Sequence, residues 1–224
     1  MCPSRSTSST SIISSRSRWG KLTASTFSPR ERRVLAALRT PAGVQHALDA
    51  MPYHLASTAW SPRRVWQERT AHCLEGAIFA AAALRVLGYP PLLLDLEAVQ
   101  DTDHVLAIYR ERGHWGAIGK SNFSGLRFRA PVYRTLRELA LSYFEDYVNL
   151  RAERTLRAYS RPVNLARFDR TRPGWETSDG DLWFVAAHLA ELPHTRLLPR
   201  GLERRLGRVD QRSLAAGLVG FRQQ

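Results

Sequence analysis

The stretch Thr70-Ala-His-Cys-Leu-Glu-Gly-Ala-Ile-Phe-Ala-Ala-Ala-Ala-Leu-Arg-Val-Leu-Gly88 constrains this chain more than any other. From Gly76 to Leu87 only Arg85 carries a charge. A helix that is apolar nearly all round must be covered on every side, so the rest of the domain has to wrap around it. Thr70 reads as its N-cap, Gly88 as the C-terminal residue with positive φ, and Pro90-Pro91 as the stop. Cys73 then falls near N3, where unpaired amides and the positive dipole end favour thiolate over thiol. Its own N–H is placed to meet a developing oxyanion. The plainer alternative is a small hydrophobe filling the core.

Three helix starts precede this stretch, each a hydroxyl residue followed by proline: Ser28-Pro29, Thr40-Pro41 and Ser61-Pro62. Glu31 stands at the capping-box position of the first. After Gly88 the pattern changes to strands over 91–97, 104–110 and 115–120. The last two form a hairpin whose turn glycine is Gly113. Helical spacing returns from Tyr133 to about Leu150, residues 151–176 look irregular, and Ser178 begins a further helix over about 179–192. A short helix is expected near 200–206. The expected class is α+β: a central Cys-bearing helix packed on a small antiparallel sheet, with added helices at both ends.

Residues 1–27 are Ser-, Thr- and Arg-rich with no acidic residue, which reads as a disordered tail. Such a start also looks like an organellar transit peptide, an unstructured bacterial tail or a misassigned start codon. The net charge is +13, and of 33 basic residues only Lys21 and Lys120 are lysine. These arginines are spread along the chain without a nucleic-acid motif, so arginine-rich coding bias is preferred over nucleic-acid binding. Two cysteines, Cys2 and Cys73, make neither a disulfide framework nor a metal set and suit a reducing, cytoplasmic setting. No apolar run is long enough to span a membrane.

The hairpin brings chemistry together. With its turn centred on Arg112-Gly113, His104 faces residue 121, or 120 or 122 with a one-residue change in the loop. A catalytic imidazole needs one ring N–H held so that the other nitrogen meets the nucleophile. The amide oxygen of Asn122 suits that task better than the Ser121 hydroxyl, and Asp95 and Asp103 are further candidates. Cys73, His104 and Asn122 then form a nucleophile–base–orienter set.

In these residues the chain resembles the transglutaminase-like cysteine enzymes, which share the papain-type arrangement. The resemblance rests on His72-Cys73-Leu-Glu-Gly-Ala, Leu87-Gly88-Tyr-Pro, Asp103-His104-Val-Leu-Ala-Ile-Tyr and Gly113-His-Trp115-Gly-Ala-Ile-Gly-Lys. It covers roughly residues 60–125 and looks closest to a bacterial branch that extends through Ser142-Tyr-Phe-Glu-Asp-Tyr147. It implies Cys73 as nucleophile, His104 as base and a catalytic core over 28–150, followed by a helical or irregular extension over 151–224. The family usually places an aspartate shortly after the Trp of the third strand. Here that segment reads Gly119-Lys120-Ser121-Asn122, which leaves the third role open between Asn122, a papain-like substitute, and Ser121, with an inactive relative as the alternative.

Gln67 lies six residues before Cys73, the spacing papain-like enzymes use for the oxyanion-hole glutamine; a surface glutamine is the plainer reading. His72 faces away from Cys73 on a helix, His114 is solvated at the hairpin turn, and Glu75 anchors the helix through an arginine. His188 and His194 lack companion ligands for a metal. The expected activity is acyl transfer on a peptide or amide substrate, without cofactor or metal. The alternative is a binding module on the same fold.

Overall fold

The computed structural model describes residues 25–222. Its helices are α1 (Pro29–Ala36), α2 (Pro41–Asp49), α3 (Pro62–Glu68), α4 (Cys73–Val86), α5 (Leu136–Leu141), α6 (Trp183–Ala190) and α7 (Gln211–Gly217). Its strands are β1 (Leu92–Ala98), β2 (His104–Glu111), β3 (His114–Ile118), β4 (Arg129–Tyr133), β5 (Leu156–Ser160), β6 (Val163–Asn164) and β7 (His194–Arg196). The class is α+β.

The hydroxyl-proline starts act as read. Ser28, Thr40 and Ser61 each accept a first-turn amide, and Glu31 closes a capping box by accepting from the Ser28 amide at 2.8 Å. The start of α4 differs. Its N-cap is His72, not Thr70, so Cys73 is the first helical residue. The Thr70 hydroxyl instead donates to the Pro52 carbonyl at 3.0 Å. Gly88 ends the helix at φ +92°, as the stop signal requires.

The sheet runs β4-β3-β2-β1-β5-β7, with β6 also on β1, and every pairing is antiparallel. It is larger than the small sheet expected, because β4, β5, β6 and β7 lie in segments read as loop, helix or irregular chain. The hairpin register is the one inferred: Ala107 faces Ile118 and Glu111 faces His114 across a turn with positive φ at Arg112 and Gly113. The helix read over 133–150 shrinks to α5. Beyond it the chain forms turns that place Tyr143 and Tyr147 in the core. The helix past Ser178 begins only at Trp183, and Ser178 holds a local turn with Gly180.

Both faces of the sheet are covered, so β1 and β2 read as nearly continuous apolar runs. Leu93, Val105, Ala107 and Tyr109 meet α4, while Leu92, Leu94, Leu96, Leu106 and Ile108 meet α5 and the two tyrosines. Ile78, Phe79 and Leu84 of α4 are fully buried, each contributing about 1.5–3 kcal/mol. Gly76 lets the helix flank press on the chain after β3, since a Cβ there would lie 2.4 Å from Lys120 Cβ. Lys120 is itself buried. Its ammonium donates to the Leu48 carbonyl at 2.9 Å and to that of Met51, closing the C-terminal end of α2.

The end of the expected 1–27 tail is ordered. Residues 1–24 lie outside the described residues, but Phe27 is buried. Ser25 and Thr26 donate three hydrogen bonds to one oxygen of Glu176. Glu176 also pairs with the buried Arg85 of α4, which reaches Asp169 at 2.8 Å as well. No described helix is long and apolar enough to cross a membrane.

Candidate active site

Cys73 and His104 open onto one cavity of about 700 Å³, whose wall also includes Tyr53, Ser121, Asn122 and Tyr147. The two reach it from opposite faces of the sheet. Cys73 begins the helix on one face. His104 shares the other face with Leu106, its ring edge-on to Tyr147 at 6.4 Å. They meet around the first residues of β2. The thiol lies 4.0 Å from the Asp103 carbonyl, and the Val105 amide faces the sulfur from the other side of His104. Among the described residues no hydrogen bond joins the sulfur to the imidazole.

The sulfur has three polar neighbours that favour thiolate: the amides of Val105 and Leu74 and the hydroxyl of Tyr53. Tyr53 sits beside this helix start because its backbone bridges Ala71, two residues before the cysteine. Its hydroxyl faces both the Cys73 amide and the Cys73 thiol. Burial nevertheless dominates and pushes the thiol above its ordinary range, with the Asp95 charge adding to the shift. The depressed thiol expected at a helix N-terminus is therefore not found, because desolvation outweighs the local donors.

His104 is buried, and its Nε2 lies 2.9 Å from the Leu126 carbonyl. A carbonyl only accepts, so Nε2 carries the proton and Nδ1 is the unprotonated nitrogen. Among the described residues no hydrogen bond engages Nδ1. Burial lowers the imidazole to about 4, with the Arg129 charge also opposing protonation. At neutral pH the pair is a thiol and a neutral imidazole.

The orienting role expected of a side chain thus falls to main chain. Asn122 uses both ends of its amide on Arg222: Nδ2 donates to the carbonyl at 2.8 Å and Oδ1 accepts from the amide at 2.9 Å. Ser121 accepts from the Phe123 amide, Asp103 accepts from the Ala98 amide, and Asp95 pairs with His194 at 3.0 Å. Gln67 is exposed on α3 and lines a separate hollow beside Phe27 and Trp66, away from the cavity that holds Cys73. Tyr53 is the side chain whose hydroxyl approaches Cys73. Nothing in the sequence beyond its place in the loop before the helix marks it out.

Glu75 anchors the first turn through histidines, a threonine and amides instead of an arginine. It is fully buried and accepts from His54 at 2.9 Å, Thr58 at 2.6 Å, and the amides of Trp60 and His72 at 3.1 Å. Burial raises its pKa, but the His72 charge and these donors outweigh it and keep the carboxyl below its ordinary value. His114 lies at the turn, half-buried and away from the cavity, with its ring nitrogen on the Arg112 carbonyl. His188 contacts Arg167 and Phe168, and no cluster of three metal-binding side chains occurs among the described residues.

Comparison with protein-family models and with curated protein sequences finds no match.

Proposed function

We propose that this chain is a cysteine-dependent acyl-transfer enzyme of transglutaminase-like type, with a papain-like core, acting on peptide or amide bonds. The supporting observation is the Cys73 sulfur on the wall of a cavity it shares with a tautomerically fixed His104, with the Val105 and Leu74 amides and the Tyr53 hydroxyl favouring its thiolate. The thiol attacks the substrate carbonyl as its proton passes to His104 Nδ1, so that proton loss and C–S bond formation are coupled. The oxyanion forms next to the Cys73 amide, free of intrahelical duty at the first helical position. It also forms next to the Tyr53 hydroxyl, which transfers its hydrogen bond from sulfur to oxygen. Collapse expels the amine, which takes the proton back from His104 and leaves a thioester. Water or a second amine then attacks, with His104 again the base, and the thiol is restored. A free thiol in this role suits a reducing, cytoplasmic setting.

A panel of peptide amides and amine acceptors, with Cys73→Ala as control, tests this reading. Thioester trapping and release of amine from the parent alone support it. An unchanged signal in the Cys73→Ala chain defeats it. The burial that raises the thiol and lowers the imidazole favours a second reading, a binding module on the same fold, which predicts ligand capture without turnover.

A further inference from the structure

The loop after β3 grips another part of the chain by its main chain. Asn122 exchanges two hydrogen bonds with the backbone of Arg222. The Ser124 amide donates to the Gly217 carbonyl at 2.9 Å, and its hydroxyl to the Ala216 carbonyl at 2.7 Å. All four bonds are to backbone, and the gripped segment contributes one anchoring side chain. Gly220, at φ +76°, turns the chain so that the Phe221 ring meets Phe123 edge-on at 5.2 Å. Phe221 and Arg222 line the same cavity as Cys73 and His104.

Paired donor and acceptor on one amide is how a side chain holds an extended peptide regardless of sequence, while a ring contact adds selectivity. We propose that the 122–124 loop is the peptide-binding subsite of this cavity, and that residues 216–222 occupy it in cis. The substrate class is then a peptide held by its backbone, with an aromatic residue against Phe123. This rests on the acyl-transfer reading for its chemistry, but not for its binding. A tethered segment competes at an effective concentration on the order of millimolar, so a free peptide must displace it.

The test uses the full chain carrying Cys73→Ala, so that nothing turns over, and a fluorescein-labelled peptide Leu-Val-Gly-Phe-Arg-Gln-Gln. Arg222→Pro removes the amide that Asn122 accepts, and Phe221→Gly removes the ring. Arg222 is exposed, so its substitution leaves the core intact. Each is expected to tighten peptide binding by about tenfold or more over the chain with its own segment intact. Adding Asn122→Ala should cancel the gain. Equal binding to all chains, or a gain that survives Asn122→Ala, overturns the proposal. Tight binding to the Arg222→Pro chain with no turnover after Cys73 is restored leaves the subsite standing and defeats the acyl-transfer reading. Turnover without a binding gain does the reverse.

Discussion

His104 Nε2 donates to the backbone carbonyl of Leu126 at 2.9 Å, so the group that orients the imidazole belongs to no side chain. Two substitutions separate this arrangement from an Asn122 orienter. Asn122→Ala should keep kcat within about threefold and raise KM, whereas loss of an orienting side chain costs about 10⁴ in kcat. Gly119→Ala should do the opposite. Its Cβ would lie 2.9 Å from the Leu126 oxygen and 3.1 Å from His104 Nε2, forcing the two apart. A drop of about 10²-fold in kcat follows from displacement of that size. Steady-state kinetics on both variants decides, and a collapse of kcat in Asn122→Ala rules out the carbonyl's role.

Tyr53→Phe deletes one hydroxyl beside the sulfur and little else. An oxyanion donor is worth about 10²–10³ in kcat, and the same hydroxyl pulls the thiol pKa down. Activity should fall by about that factor, and the pH profile of Cys73 alkylation by iodoacetamide should move further up. Unchanged activity and an unchanged profile would place the hydroxyl outside the reaction.

Two buried groups give opposite acid responses. His104 drops from 6.5 to about 4, because burial disfavours its cation. The unfolded chain binds that proton first, so this contribution is complete above pH 6.5 and is lost as pH falls through 4, about 3 kcal/mol in all. Asp95 rises from 3.8 to about 6 through burial, with the Asp103 and Glu97 charges adding and His194 opposing. Its contribution, also about 3 kcal/mol, is complete below pH 3.8 and is lost as pH rises through 6. Urea midpoints between pH 4 and 6.5 should therefore climb toward acid in His104→Gln, and fall more steeply in Asp95→Asn, relative to the parent. Parallel curves for all three chains would contradict both shifts.

Glu75→Gln keeps the shape of the side chain but turns one end into a donor facing donors. Breaking a buried, fully engaged carboxylate costs about 3 kcal/mol or more, which corresponds to a Tm lower by about 6–12 °C for a chain of this size. Calorimetry measures it, and a Tm within a degree of the parent would show that the network carries no net stability.

The central helix and the hairpin were legible in sequence because local physics dictates both. Alanine and leucine runs without charges must be buried, and Gly113 with its neighbours sets the hairpin turn to within one residue, enough to bring His104 beside the segment 120–122. The sheet beyond that hairpin was hidden. β4 and β7 are short, and the tyrosines at 143 and 147 repeat at helical spacing although the chain there turns. The third role at the site was misread for a related reason. A main-chain acceptor leaves no mark on residue type, so Asn122 looked suitable while the carbonyl of Leu126 gave no signal in sequence. The thiol's environment was misread because the helix dipole is local and visible, whereas desolvation depends on everything folded around it.

Glu75 holds the 54–60 loop and the opening turn of α4 on one carboxylate. Any outward swing of that loop strips hydrogen bonds from a fully buried carboxylate. On the proposed reading the entrance beside Tyr53 is thus a fixed jamb, and a displacing peptide gains room at the opposite edge, where residues 216–222 give way.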